Sequence, residues 1–312
     1  MQRPDMLARL QQGVTLGLLA ATLAWAALFA SRGKPVLAVV GALAILFGYA
    51  AFLAVEFVLL VFVNRSDPAP RASLWQLVRA WAGEVLTAPR VFCWRQPFRS
   101  RAVPDFLPAR SHRRGVVLVH GYVCNRGLWN PMMLRLRARG VPFVAVNLEP
   151  VFGSIDAYVP IIEDAMRSVS LATGMAPVIV AHSMGGLAVR AWQADPSASV
   201  QAHRVISIGS PHRGTFLARF GHTPNARQMQ LEHAWLQTLL SSEPADRFSR
   251  FTCFYGHCDN IVFPASTATL PGADNRHVPA CAHVHMAHHA DVLAELFRWL
   301  EPAAVPEPSV AR

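Results

Sequence analysis

Ten residues, Val178-Ile-Val-Ala-His-Ser-Met-Gly-Gly-Leu187, constrain this chain more than any other stretch. An apolar run ends in a serine flanked by small residues and then opens into a helix-compatible segment. The pattern is that of a nucleophile elbow, in which a buried strand turns sharply into a helix and leaves the serine Oγ exposed at the carboxyl edge of a parallel sheet. The turn brings the backbone two positions before and two positions after the serine close together, so both must be small. Ala181 and Gly185 meet that need, although alanine replaces the commoner glycine at 181. Gly186 adds a small residue where the new helix must cross the sheet. A buried strand followed by a loop that happens to hold a serine fits the same letters, and the rest of the chain must decide.

Strand and helix patterns alternate around this point. Val116-Val-Leu-Val-His120, Pro142 to Asn147, Val178 to Ala181, Val205 to Ile208 and Phe251 to Tyr255 read as buried strands. Arg126 to Arg139, Ile155 to Leu171, Met184 to Gln193, Gln228 to Leu240 and Asp291 to Leu300 read as helices. Continuous apolar strands alternating with amphipathic helices imply an α/β fold with a mostly parallel sheet covered on both faces. No internal repeat is visible.

In such a sheet the loops at the carboxyl ends of the strands converge on the site. His120-Gly121-Tyr122 leaves the first strand, and its plainer reading is a strand-ending turn. If Ser183 attacks a carbonyl, the developing oxyanion needs two preorganised N–H donors; Met184, the residue after the serine, offers one, and Tyr122 is the natural second. His182 and Gly185 flank the serine and Met184 as supporting positions. A serine also needs a histidine to take its proton and a carboxylate to orient that histidine, in the chain order serine, acid, histidine. Asp259, after a strand in Gly256-His-Cys-Asp-Asn-Ile-Val-Phe-Pro264, is the best placed acid; Asp246 and Asp274 lie in poorer contexts. His283, His285, His288 and His289 all crowd before the final helix.

These residues resemble the α/β-hydrolase superfamily, in particular bacterial triacylglycerol lipases and esterases that carry Ala-His-Ser-Met-Gly-Gly. The resemblance covers about Gly115 to Leu300. It rests on Val119-His-Gly-Tyr122, on Ala181 to Gly186, on Gly209-Ser-Pro-His-Arg-Gly-Thr215 and on Asp259-Asn-Ile-Val. It implies an α/β-hydrolase fold with Ser183 as nucleophile, Asp259 as acid and a histidine usually preceded by glycine. Ala282-His283 occupies that last place, with alanine where these enzymes usually have glycine, so His283 is the expected base. Lipases commonly carry a mobile apolar lid or acyl-chain wall in this part of the fold, and by analogy Phe216, Leu217, Phe220, Trp235, Leu236 and Leu239 are expected to form one, against the alternative of a packed surface helix.

The amino end lies outside the resemblance. Val14 to Ala30 and Val36 to Val63 are apolar runs separated only by Ser31-Arg-Gly-Lys-Pro35. Each approaches or exceeds the ~20 residues that span a bilayer as a helix, and because the second run follows at once, a membrane hairpin reads better than a signal peptide. Gly13-x-x-x-Gly17 and Ala44-x-x-x-Gly48 offer small faces for close helix approach; ordinary glycine and alanine usage in membrane helices explains them as well. Glu56 is an ionisable group inside the second run, a functional hint by default, unless the run's excess length leaves it near the headgroups. Arg3, Arg9, Arg65, Arg71 and Arg79 outnumber Arg32 and Lys34 in the turn. The resemblance to bacterial enzymes implies the bacterial inner membrane, and the positive-inside rule favours a catalytic domain in the cytoplasm, by a small margin.

The expected domains are thus a hairpin over 1–64, a basic, Pro-rich linker over 65–114, the hydrolase domain over 115–301 and a tail over 302–312. Within the linker, Leu74, Leu77, Val78, Trp81 and Val85 recur at helical spacing. That amphipathic helix could lie in the membrane interface or pack on the catalytic domain.

Composition narrows the function. The chain of 312 residues is 53% hydrophobic and 15% charged, with a formal net charge of +10 carried by arginine far more than lysine. The basic residues are scattered, without the aromatic-interleaved blocks of a nucleic-acid groove, so an anionic membrane surface is the expected partner and nucleic acid is not. No phosphate-cradling loop or dinucleotide fingerprint appears, so no cofactor is expected. His285 and His288 could share a metal on one helical turn, but no further ligands present themselves. Five cysteines, an odd number, suggest free thiols; Cys258 and Cys281 could pair in an oxidising compartment. The leading expectation is a membrane-anchored serine hydrolase acting on carboxylic esters of apolar acyl chains. An acyltransferase using the same triad and a non-catalytic membrane scaffold are the alternatives.

Overall fold

The apolar run before Ser183 forms the third strand of a six-stranded sheet in the computed structural model, which describes residues 6–109, 111–243 and 245–301. Two long helices come first, α1 (Met6–Ser31) and α2 (Pro35–Val63), then α3 (Leu74–Pro89), a π-helical stretch over Arg90–Arg95 and the short α4 (Gln96–Arg99). The alternating part follows: β1 (Val116–Val119), α5 (Asn130–Ala138), β2 (Phe143–Ala145), α6 (Val159–Thr173), β3 (Val178–His182), α7 (Met184–Ala194) and β4 (Arg204–Ile208). It continues through α8 (Pro224–Gln228), α9 (Ala234–Ser242), β5 (Phe251–Tyr255), β6 (Asp274–His277), α10 (His283–Met286) and α11 (Ala290–Leu300). The strand order is β2-β1-β3-β4-β5-β6, and every adjacent pair is parallel. The expected tail over 302–312 lies outside the described residues.

The strands are apolar on both sides because both faces are covered. Val117, Val119 and Ile179 point into a core shared with Met166 of α6 and Leu187 of α7. Val116, Leu118 and Val180 point the other way, against Met133 of α5 and Leu296 of α11. Truncating a wholly buried side chain such as Leu296 to alanine removes roughly 2–5 kcal/mol of stability. α6 stops at Gly174, whose φ of 68° is a left-handed cap.

Two elements differ from the sequence expectation. The helix read over Gln228 to Leu240 begins only at Ala234: Gln228 ends α8, and in the stretch between, Thr215 donates its N–H to Met229 O at 2.9 Å and Gln230 bridges to Thr215. The last strand, which the sequence suggests over Arg276-His-Val-Pro279, instead spans Asp274–His277: the N–H of Val278 makes a final 2.7 Å bond to Tyr255 O, and proline has no N–H to extend the ladder.

α1 and α2 have 26 and 29 residues and are long and apolar enough to cross a membrane. Few of their side chains are buried, and Leu23, Val36 and Phe52 are among many that face outward. The small residues do not bring the two backbones together: a Cβ added at Gly13, Gly17 or Gly48 would meet nothing within 4 Å. Gly41 is the close contact, lying under the indole of Trp25, whose Nε1 donates to Leu37 O at 2.9 Å.

Polar bonds fasten the start of α1 to α4 and the end of α2 to the sheet domain. The Gln11 amide donates to Gln96 Oε1 at 2.8 Å, and the Gln12 amide to Pro97 O at 2.6 Å. Asn64 Oδ1 accepts from the Ala265 N–H, and Asp67 Oδ2 accepts from both the N–H and the hydroxyl of Ser266. α3 begins with a capping box between Ser73 and Gln76 and divides its faces. Ala80 and Glu84 are buried and the Trp81 indole donates to Ala50 O of α2, whereas Leu74, Trp75, Val78 and Leu86 are exposed.

Candidate active site

Ser183 sits between the end of β3 and the first turn of α7 with φ 56° and ψ −130°, a conformation that side-chain-bearing residues rarely adopt. Its own N–H donates to Ile208 O of β4 at 2.9 Å, which pins the turn to the sheet. The small neighbours have a geometric cause. A Cβ added at Gly185 would lie 2.6 Å from His120 O, and one at Gly121 would lie 2.7 Å from Ser183 Cβ. The first sheet loop and the elbow are therefore in contact, and Tyr122 and Ser183 line one cavity. Met184 opens α7, where a backbone N–H has no intrahelical acceptor.

His283 is the histidine that meets the acid. Its Nδ1 is 2.9 Å from Asp259 Oδ2, and both side chains are buried. Asp259 Oδ1 accepts the N–H groups of Ile261 and Val262 at 2.9 and 2.8 Å, which fixes the carboxylate in its loop. Gly209, with φ 53°, lies on this pair: a Cβ there would stand 2.7 Å from Asp259 Oδ2 and 3.1 Å from His283 Nδ1. His285 turns away and packs against Gly83 of α3, and His288 Nε2 lies 3.2 Å from Arg95 Nη1. Asp274 pairs with Arg276 on the sheet edge.

The surrounding histidines are structural and neutral. The Leu148 N–H donates to His120 Nε2 at 3.0 Å, which leaves the proton on Nδ1 to bond Gly121 O at 2.9 Å. Burial lowers the His120 pKa to about 4. His182 donates from Nε2 to His283 O at 3.1 Å, with the two rings 4.6 Å apart. Burial, followed by the charge His283 would carry, holds it well below the usual range. His212 of the Gly209–Thr215 motif bonds the Ser207 hydroxyl, and its carbonyl accepts from Arg190, which forms a wholly buried ion pair with Glu243 at 2.6 Å. For His283 itself, burial opposes the charge, but the charge and hydrogen bond of Asp259, reinforced by Glu84 and Glu56, outweigh it and leave the pKa raised.

Two carboxylates from outside the sheet domain reach this site. Glu84 of α3 is buried, and its oxygens accept the N–H groups of Val284 and His285, each at 3.0 Å. Glu56 of α2 accepts from Asn260 Nδ2 at 2.6 Å, while Asn260 Oδ1 accepts the His283 N–H at 3.2 Å. Glu56 was visible in the sequence as a charge in an apolar run. Glu84 was not singled out, and no local pattern marks it; Asn260 stood within the Asp259-Asn-Ile-Val motif without a role of its own.

A cavity of about 660 Å³ opens at Ser183 and His283. No described residue of the 216–250 segment lines it, contrary to the lid or wall expected there. Leu236 and Leu239 are instead buried in the domain, and the Trp235 indole donates to Asp156. The five cysteines are free thiols, including Cys258 and Cys281. Burial pushes the Cys258 thiol up to about 12 and raises Cys281 above its usual range.

The sheet order, the elbow between β3 and α7 and the helices on both faces define an α/β-hydrolase fold, and comparison with solved structures agrees. The mature lipase BlEst2 of Bacillus licheniformis superposes with a TM-score of 0.55 at 16% identity, over 64% of this chain and 97% of that one. Lipase B of Aspergillus fumigatus superposes with a TM-score of 0.52 at 20% identity, over 61% of this chain and 54% of that one. No protein-family model matches the sequence, and comparison with curated proteins gave no match.

Proposed function

We propose that the chain is a membrane-anchored serine hydrolase that cleaves carboxylic esters of apolar acyl chains. The observation that carries the reading is Ser183, held at φ 56° on the wall of a cavity it shares with a His283 already bonded to buried Asp259. The Ser183 oxygen bonds to the ester carbonyl carbon while its proton passes to His283 Nε2. The N–H groups of Met184 and Tyr122 receive the oxyanion. The bond to the alcohol oxygen then breaks, and His283 returns the proton to that oxygen. Water repeats the sequence on the acyl-serine, releasing the carboxylic acid and free Ser183. Asp259 holds Nδ1 and stabilises the imidazolium without taking its proton. Both lipases that share the fold act, by their names, on lipid esters.

α1 and α2 anchor this machinery. Helices apolar on all sides need an apolar solvent, and the outward Leu23, Val36 and Phe52 have none within the chain. Trp75 and Trp94, exposed beside them, suit the bilayer interface. The catalytic domain lies at the end of the hairpin where α1 begins and α2 finishes, and the charge balance favours the cytoplasm for that end. Labelling of the full-length protein by a fluorophosphonate, lost in Ser183→Ala together with p-nitrophenyl ester hydrolysis, tests the chemistry. A wild-type protein that neither labels nor hydrolyses any ester refutes it. A reporter fused after Arg312 tests the side: activity as a cytoplasmic fusion is expected, and activity as a periplasmic one reverses the assignment.

A further inference from the structure

The cavity at Ser183 does not end in the sheet domain; it continues between the two apolar helices. His182, Ser183, Asn260 and His283 with the carboxyls of Glu56 and Glu84 gather around the serine, joined by hydrogen bonds, and Thr15, Tyr49 and Cys93 line the cavity besides them. Beyond them the walls are Leu18 and Leu19 of α1 and Ile45, Leu46, Phe52 and Leu53 of α2. From Glu56 to Ile45 the wall runs eleven positions along α2, about 16 Å at the helical rise. Tyr49 is fixed in this wall by the bond from its hydroxyl to Val85 O at 2.8 Å, so α2 and α3 keep their spacing. Leu18, Leu19, Leu46 and Phe52 are also exposed, so the far part of the cavity is open to the surroundings of the hairpin, which the proposed anchoring puts in the bilayer.

Resting on the proposed serine chemistry, we propose that the hairpin is the acyl-chain site as well as the anchor, and that the substrate is an uncharged lipid ester entering from within the bilayer. A carbonyl at Ser183 would leave its acyl chain directed along the leucine and isoleucine wall, where every methylene replaces one apolar contact with another. The alcohol portion would stay near the polar groups around the serine. They include two carboxyl groups and, among the described residues, no lysine or arginine, although the chain as a whole has a net charge of +10. An anionic headgroup would find no countercharge there, whereas the hydroxyls of a diacylglycerol would find acceptors.

The experiment uses the full-length protein in phosphatidylcholine nanodiscs and a long-chain alkyl fluorophosphonate with a photoreactive diazirine at the chain terminus. Attachment to Ser183 tests the serine reading: no attachment refutes that reading and leaves the hairpin without a reaction to serve. After attachment, irradiation should crosslink the chain to peptides containing 15–19 or 45–53. Crosslinks to 216–240, or none to the hairpin, would overturn the acyl-chain assignment while the serine chemistry stood. Ile45→Trp, at the far end of the wall, should lower turnover of a dodecanoyl ester roughly tenfold or more relative to the wild type and leave an acetyl ester nearly unchanged. Equal effects on both esters, or none, would count against the site. Diacylglycerol should be hydrolysed faster than phosphatidylglycerol when each is present at the same fraction, and the reverse order would overturn the uncharged class.

Discussion

The carboxylate of Glu56, inside the second apolar helix, accepts a 2.6 Å hydrogen bond from the side-chain amide of Asn260, the residue next to Asp259. The same amide receives the backbone N–H of His283. One polar chain thus runs from the hairpin to the loop of the acid and the loop of the base. Burying such a carboxyl is costly unless it is bonded, so its cost and its partner together point to a positioning role.

Glu56→Ala should therefore harm both stability and turnover. It leaves the Asn260 amide without its acceptor, at a cost of about 1–3 kcal/mol, and frees the two loops to separate. Glu56→Gln retains an acceptor oxygen and should keep most activity. Thermal unfolding and ester turnover of the two variants in detergent check this; equal behaviour of Ala and Gln would mean that the bond does not position the loops.

Ser183 makes a separable prediction, because its backbone is strained whatever its side chain does. Ser183→Ala removes the hydroxyl and keeps the strain, so activity is lost with the melting temperature little changed. Ser183→Gly relieves the positive φ, and after the greater freedom glycine gives the unfolded chain it should gain about 1 kcal/mol of stability. Calorimetry in which Gly melts no higher than Ala would contradict the strain.

The parts legible in the sequence are those whose information is local or ordered along the chain. The elbow is local: Ala181, Ser183 and Gly185 lie within five positions, and the steric need that selects them acts over the same distance. The strands were legible because parallel strands buried on both faces are continuously apolar, as Val116 to Val119 are. His283 and Asp259 needed the serine-acid-histidine order and the family resemblance to separate them from their neighbours. Glu84 was not legible: it accepts N–H groups 200 positions away, and on α3 alone a glutamate reads as solvated. The expected apolar wall at 216–240 failed for a related reason. An amphipathic segment records that it buries one face, not which surface it covers.

The choice of His283 over His285 is open to a direct test. His283→Ala should lose on the order of 10³-fold or more in turnover, since nucleophile and base act as a unit. His285 packs on Gly83 and touches neither Ser183 nor Asp259, so His285→Ala should keep most activity and alter mainly stability. A severe loss from His285→Ala with a near-normal His283→Ala would reverse the two assignments.

The last prediction concerns pH and uses Glu84. Asp259 faces His283 with negative charge, Glu84 and Glu56 add to it where they are ionised, and His182 faces it as a neutral ring. The first three leave the His283 pKa raised above its ordinary value of 6.5 despite burial. A general base must be unprotonated, so kcat/KM should fall as pH drops through that raised value. The stability contribution has the opposite sense. A histidine whose pKa is raised by folding adds stability that is complete below its unfolded value and is lost as pH rises through the folded one. Burial raises the Glu84 pKa above its ordinary value, so above that raised value Glu84→Gln removes a charge, while it keeps one acceptor oxygen for the amides of Val284 and His285. It should move the acidic limb of the pH–rate profile to lower pH and leave the plateau within a few-fold of the wild type. Glu84→Ala should lower the plateau as well, because both N–H groups lose their acceptor and the loop that carries His283 loosens. An acidic limb that stays in place in Glu84→Gln, measured with fluorophosphonate labelling rates as well as ester turnover, would mean that Glu84 holds the loop without tuning the base.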